Sequence, residues 1–275
     1  MKKRKIISLI LSSLVVLSLA GCGSKGGDAS SSSSTGKDSK VIKVGATPVP
    51  HAEILKQVKP ILQKEGYDLQ IVEFTDYVTP NTALNEGQLD ANFYQHIPYL
   101  EQFNKEKHTE LSYTVKVHLE PMGVYSNKAK KISDIKDGAE IAIPSDPTNG
   151  ARALKVLQNA GLIKVKDGEL ISKADITENK KNIKIKELEA PQLPRVLGDV
   201  DAAVINSNYA LQANLNPTKD AIAIEPKDSP YANILAVRTK DKDKDSIKAL
   251  SKALNSPEIK KFIEEKYKGS IIASF

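Results

Sequence analysis

Aromatic side chains cluster in the segment LDANFYQHIPYLEQF, at residues 89–103 of a 275-residue chain that holds 5 Phe, 9 Tyr and no Trp. Phe103 lies at helical spacing from Tyr99 and is predicted to belong to the core. Phe93 and Tyr94 are neighbours in a predicted strand, so their side chains point to opposite faces. Rings of this kind can form an apolar, polarisable slot that suits a thioether side chain.

Two further ring-bearing residues lie close to this segment. Tyr77 is in the preceding loop TDYVTPN, and His96 follows the strand that carries Phe93 and Tyr94. His96 could donate a hydrogen bond to a ligand oxygen, and the alternative role, that of a structural histidine, stays open.

Arg152 stands out in the segment PSDPTNGAR, which follows a predicted strand. It lies just inside a predicted helix, where the helix dipole disfavours a cation unless the cation has a partner. Its guanidinium could bind a carboxylate through two parallel hydrogen bonds. The alternative is an ordinary surface arginine. Asp146, Thr148 or Asn149 could cap the helix.

Two asparagines lie beside apolar runs, Asn206 after AAVI and Asn233 before ILAV. An amide offers both a donor and an acceptor, which suits the ammonium and the carboxylate of an amino acid. Asparagine is also common in turns and caps. Spacing alone does not decide between these roles.

Strand and helix patterns alternate from residue 41 to the end of the chain, which predicts an α/β fold with parallel sheets covered on both faces. The order strand–loop–helix begins with VIKVGA and restarts with AEIAIPSDPTNGARALKVLQNAG. Within these units, Thr79 is predicted to cap a helix and PQLPRVLGD to form one. A last helix, interrupted near Pro257, is predicted to pack on the first unit.

Two long β-rich runs, YTVKVHLEPMGVYS and AIAIEPKDSPYANILAVRT, are predicted to cross between two lobes. The hinges would lie near residues 120–124 and 226–232. Because ligands of open α/β sheets bind beyond the carboxyl ends of the strands, the strand-end loops of both lobes would face one cleft.

The N-terminus has the pattern of an export signal. MKKRK is followed by a 15-residue apolar stretch, shorter than the roughly 20 residues that span a bilayer as a helix. The small residues of LAGC then precede Cys22, the only cysteine, which excludes disulfides and a cysteine metal cluster. Residues 23–40 are rich in Gly, Ser and charge and are predicted to form a flexible tether.

Removing the four positive charges of the signal reduces the formal net charge from +6 to +2, so nothing indicates nucleic-acid binding.

LAGC resembles the lipobox of bacterial lipoproteins, and the rest of the chain resembles the NlpA lipoprotein family, within it the methionine-binding lipoproteins of ABC importers. The similarity rests on the order and spacing of several segments from about Val41 onward, which are IKVGATPVPHAEIL, FTDYVTPNTALNEGQLDANFYQHIPYL, PSDPTNGARAL, IKELEAPQLPR, AVINSNYA and DSPYANI.

This resemblance implies a two-lobed periplasmic-binding-protein fold with two Rossmann-like α/β lobes joined by two hinge crossings. Residues 1–21 would be the signal peptide, 22–40 the lipidated Cys22 and tether, 41–121 plus 232–275 the first lobe, and 122–231 the second. The protein would be anchored by lipid to the extracytoplasmic face of the cell membrane and deliver methionine to an ABC permease and its ATPase, without a cofactor.

The resemblance also assigns roles to the candidate site residues. Arg152 would pair with the ligand carboxylate, and Asn206 and Asn233 would hold the amino and carboxylate groups. The pocket for the thioether side chain would be formed by Tyr77, Phe93, Tyr94, His96 and Tyr99. Relatives often have Phe where this chain has Tyr94, so it stays open whether Phe93 or Tyr94 faces the ligand.

Three alternatives remain. A related ligand, such as a methionine derivative or a dipeptide containing Met, would use the same fold. A metal ion could be held by His51, His96 and His118 with a carboxylate. An enzyme is disfavoured, because the chain has no phosphate-binding glycine loop and no G-x-S-x-G motif.

Overall fold

The helices and strands lie within residues 40–275, which the computed structural model describes. The predicted signal peptide, the lipidation at Cys22 and the tether up to residue 39 lie outside the described residues. The α-helices of the described part are α1 Glu53–Lys64, α2 Thr79–Asn85, α3 Ile97–Lys107, α4 Pro147–Asn159, α5 Ser207–Gln212, α6 Asp245–Leu254 and α7 Pro257–Tyr267. The strands are β1 Val41–Ala46, β2 Asp68–Glu73, β3 Ala91–His96, β4 Leu111–Leu119, β5 Gly123–Tyr125, β6 Glu140–Pro144, β7 Lys164–Val165, β8 Ile176–Glu178, β9 Lys184–Leu188, β10 Ala202–Ile205, β11 Ala223–Ile224, β12 Ala232–Arg238 and β13 Ile272–Ala273.

A six-stranded sheet in the order β13-β4-β12-β3-β1-β2 organises the first lobe, which we define as this sheet with α1, α2, α3, α6 and α7. β1 pairs in parallel with β2 and β3, as predicted, but β12 is antiparallel to both β3 and β4. The prediction of a parallel sheet is therefore confirmed for β1, β2 and β3, and the strands of the two long β-rich runs, β4 and β12, add an antiparallel part to the sheet. The chain leaves this sheet along β4 and returns along β12, so two neighbouring strands must run in opposite directions.

A five-stranded sheet in the order β11-β5-β10-β6-β9 organises the second lobe, which we define as this sheet with α4, α5 and the small β7–β8 hairpin. Its β6 pairs in parallel with β9 and β10, and β5 is antiparallel to β10 and β11. The chain passes between the two sheets at residues 120–122 and 225–231. The structure is thus an α/β fold with two lobes.

Each sheet has its own apolar core. In the first lobe the helical spacing of α1 places Ile54, Leu55, Val58 and Leu62 in the interior. Helices α6 and α7 pack against this same core. In the second lobe, α4 contributes Leu154 and Leu157 to a core with β6 and β10. No helix among residues 40–275 is long and apolar enough to cross a membrane.

Two local predictions were wrong. The segment PQLPRVLGD forms a short 3-10 turn, Ala190–Gln192, followed by further turns. Pro191 and Pro194 lack backbone N–H groups, and Pro194 could not donate to the carbonyl of Ala190 as an α-helix requires. Thr79 is the first residue of α2 and not its cap, because Asp76 Oδ1 accepts from the backbone N–H groups of Val78 and Thr79, at 2.8 and 2.7 Å.

Candidate functional site

A small chamber lies between the lobes at the carboxyl end of β3 and the start of α4, where ligands of α/β sheets bind. Its volume is about 20 Å³, and its lining residues are Tyr77, Tyr94, Gln95, His96, Tyr99 and Asn149. The centre of the Tyr77 ring lies 5.8 Å from that of Tyr94 and 5.9 Å from that of Tyr99. The hydroxyls of Tyr94 and Tyr99 both donate to the backbone oxygen of Tyr77, at 2.7 and 3.0 Å. These bonds fix three rings around one space.

Phe93 lies apart from this chamber. It is fully buried in the first-lobe core, where its ring packs edge-on against the rings of His51 and His118, with centroids 4.8 and 5.2 Å away. Tyr94, its neighbour in β3, points to the other face of the strand and lines the chamber. The structure therefore brings Tyr77, Tyr94, His96 and Tyr99 together and separates Phe93 from them.

The protonation of His96 follows from its two hydrogen bonds. Its Nδ1 accepts the backbone N–H of Tyr99 at 3.1 Å, so the ring hydrogen is on Nε2. Nε2 then donates to Asn149 Oδ1, 3.2 Å away. Burial, assisted by the charge of Arg152, lowers the pKa of His96 from 6.5 to about 3. His96 is therefore a neutral imidazole whose hydrogen-bond directions are fixed.

Asn206 is oriented by a chain of hydrogen bonds that begins at Asp146. The Asp146 carboxylate, which caps α4, accepts from Asn149 Nδ2 at 3.0 Å through each oxygen. Asn149 Oδ1 consequently points the other way and accepts from Asn206 Nδ2 at 2.8 Å. This leaves Asn206 Oδ1 as a buried acceptor without a partner in the part of the chain that the structure describes. A carboxylate accepts only, so the direction of the whole chain is determined.

Arg152 is buried and already pairs with a carboxylate of the chain itself. Its Nε donates to Glu225 Oε1 at 2.9 Å, and its Nη2 donates to Glu225 Oε2 and, at 2.7 Å, to the backbone oxygen of Glu120. The two parallel bonds expected for a ligand carboxylate are thus made with Glu225. Burial alone would raise the pKa of Glu225, but the Arg152 charge outweighs it and the pKa is lowered.

The remaining nitrogen of Arg152, Nη1, makes no hydrogen bond within residues 40–275. The guanidinium carbon lies 4.4 Å from the centre of the Tyr231 ring. That ring in turn contacts the ring of His96, with centroids 5.0 Å apart. Arg152 is therefore linked to the chamber wall through the rings of Tyr231 and His96.

Asn233 belongs to a buried cluster at the two crossings between the lobes. Its Oδ1 lies 3.0 Å from His51 Nε2, which also lies 3.0 Å from Glu120 Oε1. His118 Nε2 lies 2.8 Å from the same Glu120 oxygen. The second nitrogen of His51 is bonded to Thr47 Oγ1 at 2.7 Å. Asn233 is thus tied to the first loop of the chain and, through Glu120, to the first crossing.

The donor types of His51, His118 and Glu120 are those of a metal site. The third histidine of the metal hypothesis, His96, is not among them, since it lies in the chamber. A histidine that binds a metal nearly always has a hydrogen-bond partner for its second ring nitrogen. His118 Nδ1 is buried and has no such partner among the residues that the structure describes, so the cluster fits a hydrogen-bonded carboxylate better than a metal ion.

Three hydrogen bonds hold the lobes together around the chamber. Tyr77 donates to Asn208 Oδ1 at 2.6 Å, Tyr209 donates to the backbone oxygen of Thr75 at 3.1 Å, and His96 donates to Asn149. In each case one residue belongs to the first lobe and the other to the second. These bonds hold the two lobes in contact around the chamber.

Sequence reasoning missed three residues of this site. The sequence predicts only a helix-capping role for Asn149, although this residue follows a predicted strand at the predicted cleft. Glu225 directly precedes the second predicted crossing, which was the available signal for it. Asn208 sits in the motif INSNYA, in which only the first asparagine was selected.

We expect acid to destabilise the protein partly through His96. In the unfolded chain His96 is protonated below about pH 6.5, whereas in the folded protein the buried His96 stays neutral down to about pH 3. Lowering the pH from 7 to 5 should therefore cost about 2 kcal/mol of unfolding free energy at this residue. Urea unfolding of ligand-free wild type and His96→Gln at both pH values measures it. His118, present in both proteins, cancels in the comparison, and equal losses in the two proteins would contradict the prediction.

Comparisons with known proteins identify the family of this chain. The family model of the NlpA lipoprotein matches residues 42–275. The chain is 42% identical over 261 residues to the D-methionine-binding lipoprotein MetQ of Salmonella typhi, covering 93% of each chain. It is 44% identical over 263 residues to the methionine-binding lipoprotein MetQ of Bacillus subtilis (strain 168), covering 92% of this chain and 93% of that protein.

A solved structure is similar as well. The nutrient binding protein from Burkholderia cenocepacia bound to methionine is 51% identical, and its TM-score is 0.83 over 85% of this chain and 100% of that one. A family model that spans nearly all the described residues, together with relatives above 40% identity over most of their length, shows that this chain belongs to the NlpA lipoprotein family.

Proposed function

We propose that this protein is a lipid-anchored, extracytoplasmic solute-binding protein that captures methionine and delivers it to an ABC importer. Support comes from the methionine-binding relatives and from the structural neighbour bound to methionine. In the proposal, the partners are the importer's permease and ATPase, and the binding protein itself performs no chemistry on its ligand.

The observation that carries the proposal is the buried Asn206 Oδ1, an acceptor that has no partner among the described residues 40–275 and lies beside a ring-lined chamber. An unpaired buried acceptor costs about 1–3 kcal/mol, which a ligand donor would recover. An α-ammonium is such a donor, and Arg152 Nη1 offers a charged donor for the α-carboxylate of the same ligand. Tyr77, Tyr94 and Tyr99 would then surround the thioether side chain, in keeping with the affinity of sulfur for aromatic rings.

Phe93 has a different role in this proposal from the pocket role that the family resemblance implies. Its ring supports the loop residue His51 from the core side, and Tyr94 provides the ring on the ligand side. The site residues of the proposal are therefore Tyr77, Tyr94, His96, Tyr99, Arg152, Asn206 and Asn233, with Asn149 added.

Ligand entry requires the lobes to separate. The closed chamber of about 20 Å³ is far smaller than the roughly 300–1,000 Å³ of typical ligand pockets. A ligand that contacts both lobes binds the closed state preferentially and shifts the population toward it. The moving units of this proposal are residues 41–121 with 232–275, and residues 122–231, with the hinges at the two crossings.

Membrane attachment is proposed through lipid on Cys22, after removal of residues 1–21. The tether that follows would let the folded part reach the permease while staying close to the membrane.

The test is mass spectrometry of the small molecules released when freshly purified protein is denatured. We expect methionine, chemically unchanged, and calorimetry on the refolded or ligand-stripped protein should then show a single methionine site. A methionine derivative or a Met-containing dipeptide in its place would redirect the ligand assignment within the same fold. Conversion of added methionine to a product would overturn the proposal of a binding protein.

A further inference from the structure

The carboxylate of Glu120 determines the direction of the hydrogen bonds at His51. Glu120 is buried, and although burial alone would raise its pKa, its two histidine neighbours lower the pKa below the usual range, so it is ionised. An ionised carboxylate only accepts hydrogen bonds. His51 Nε2, 3.0 Å from Glu120 Oε1, must therefore carry a hydrogen. This holds whether His51 is neutral or charged, because Nε2 bears a hydrogen in both forms.

The hydrogen on His51 Nε2 in turn determines the orientation of Asn233. A donor 3.0 Å from the Asn233 amide requires the oxygen at that position and not the nitrogen. Asn233 Nδ2 must then point away from His51, and it has no hydrogen-bond partner within residues 40–275. A rotation of the amide by half a turn would place two donors against each other.

Asn233 lies next to the wall of the chamber. It is the register partner of His96 on β3 and of His118 on β4, and the pairing of β12 with both strands is irregular close to this point. His96 lines the chamber, so the amide of Asn233 lies one strand away from the chamber wall.

We propose that His51, held in one hydrogen-bonding direction by Glu120, is a positioning residue that makes Asn233 a donor for the carboxylate of the ligand. The inference rests on the proposed function, which supplies the amino-acid ligand. In this proposal the two asparagines bind different groups of the ligand. Asn206 presents an acceptor to the ammonium, and Asn233 presents a donor to the carboxylate. A ligand with a neutral group in place of the carboxylate gains less from this arrangement.

The experiment compares methionine with methioninamide, in which a neutral amide replaces the carboxylate, by calorimetry on the full folded chain. His51→Met keeps the bulk of the side chain but removes the donor, so Asn233 can turn its oxygen toward the ligand. We expect methionine affinity to fall at least tenfold and methioninamide affinity to change less than about threefold. His51→Gln places an amide N–H at the position of Nε2 and should stay within about threefold of wild type for both ligands.

Two further variants separate positioning from general damage. His118→Gln is the matched control, because His118 also bonds to Glu120 but makes no hydrogen bond to Asn233. It should leave the ratio of the two affinities within about threefold of wild type. Glu120→Met removes the carboxylate that determines the direction of the His51 hydrogen bond. It should lower the ratio of methionine affinity to methioninamide affinity, as His51→Met does. This variant keeps the test available if His51→Met fails to fold.

The same measurements distinguish a failure of the His51 positioning role from a failure of the proposed function. If wild type binds no methionine, the proposed function itself is wrong. If wild type binds methionine but the folded His51→Met variant loses both ligands by the same factor, or loses neither, the positioning role is overturned.

Discussion

Replacing Arg152 by Ala is expected to lower the unfolding free energy by about 3–5 kcal/mol and to weaken methionine binding by about 2–4 kcal/mol. The stability loss arises because Glu225 would be left as a buried carboxylate without its cation. The binding loss arises because the ligand carboxylate would lose a charge-assisted donor in a desolvated site. Urea unfolding of the ligand-free protein measures the first effect and calorimetry the second, as a fall of about 30- to 700-fold in affinity.

A double variant separates these two effects. Arg152→Met combined with Glu225→Met replaces the buried ion pair by apolar side chains of similar size, which is often neutral or stabilising. We expect it to recover most of the lost stability while methionine binding remains weak. Recovery of both properties would show that Arg152 braces the crossings and does not contact the ligand, and an unchanged affinity in Arg152→Ala would exclude it from the site.

Much of the fold could be predicted because its signals are local. The spacing of Ile54, Leu55, Val58 and Leu62 predicts one buried helix face, and Pro257 marks the break between α6 and α7. The antiparallel pairing of β12 could not be predicted in this way, because it depends on where the chain re-enters a sheet more than 100 residues after leaving it. The buried face of a helix produces a periodic pattern of apolar residues, but the direction of a strand relative to its neighbours produces no such pattern.

The site shows the same division. Tyr77, Tyr94, His96 and Tyr99 could be selected because they lie at or after the carboxyl ends of predicted strands, and these four side chains line the chamber. The partner of Arg152 could not be predicted. Glu225 is 73 residues away, and the sequence does not distinguish it from the other members of a set of 34 acidic residues. Likewise, a histidine such as His51 acquires its role only from the carboxylate that folding brings to it.

Replacing Phe93 by Ala is expected to lower the unfolding free energy by about 3–5 kcal/mol. The ring is fully buried among core residues and between two imidazole rings, so its removal leaves a cavity that neighbours cannot fill without shifting. Urea unfolding at neutral pH measures the loss. The matched change on the other face of β3, Tyr94→Phe, removes only the hydrogen bond to the Tyr77 backbone and should cost about 0.5–1.5 kcal/mol.

Binding measurements on the same positions decide which ring faces the ligand. Phe93→Leu retains most of the buried volume, so its methionine affinity should stay within about threefold of wild type even though its stability falls. Tyr94→Ala removes a wall of the chamber and should weaken binding much more than it destabilises the fold. Phe93 belongs to the first-lobe core, whereas Tyr94 lines the chamber, so we expect the two variants to affect binding differently. A large loss of affinity in Phe93→Leu, with Tyr94→Ala unaffected, would therefore reverse the assignment of the two faces.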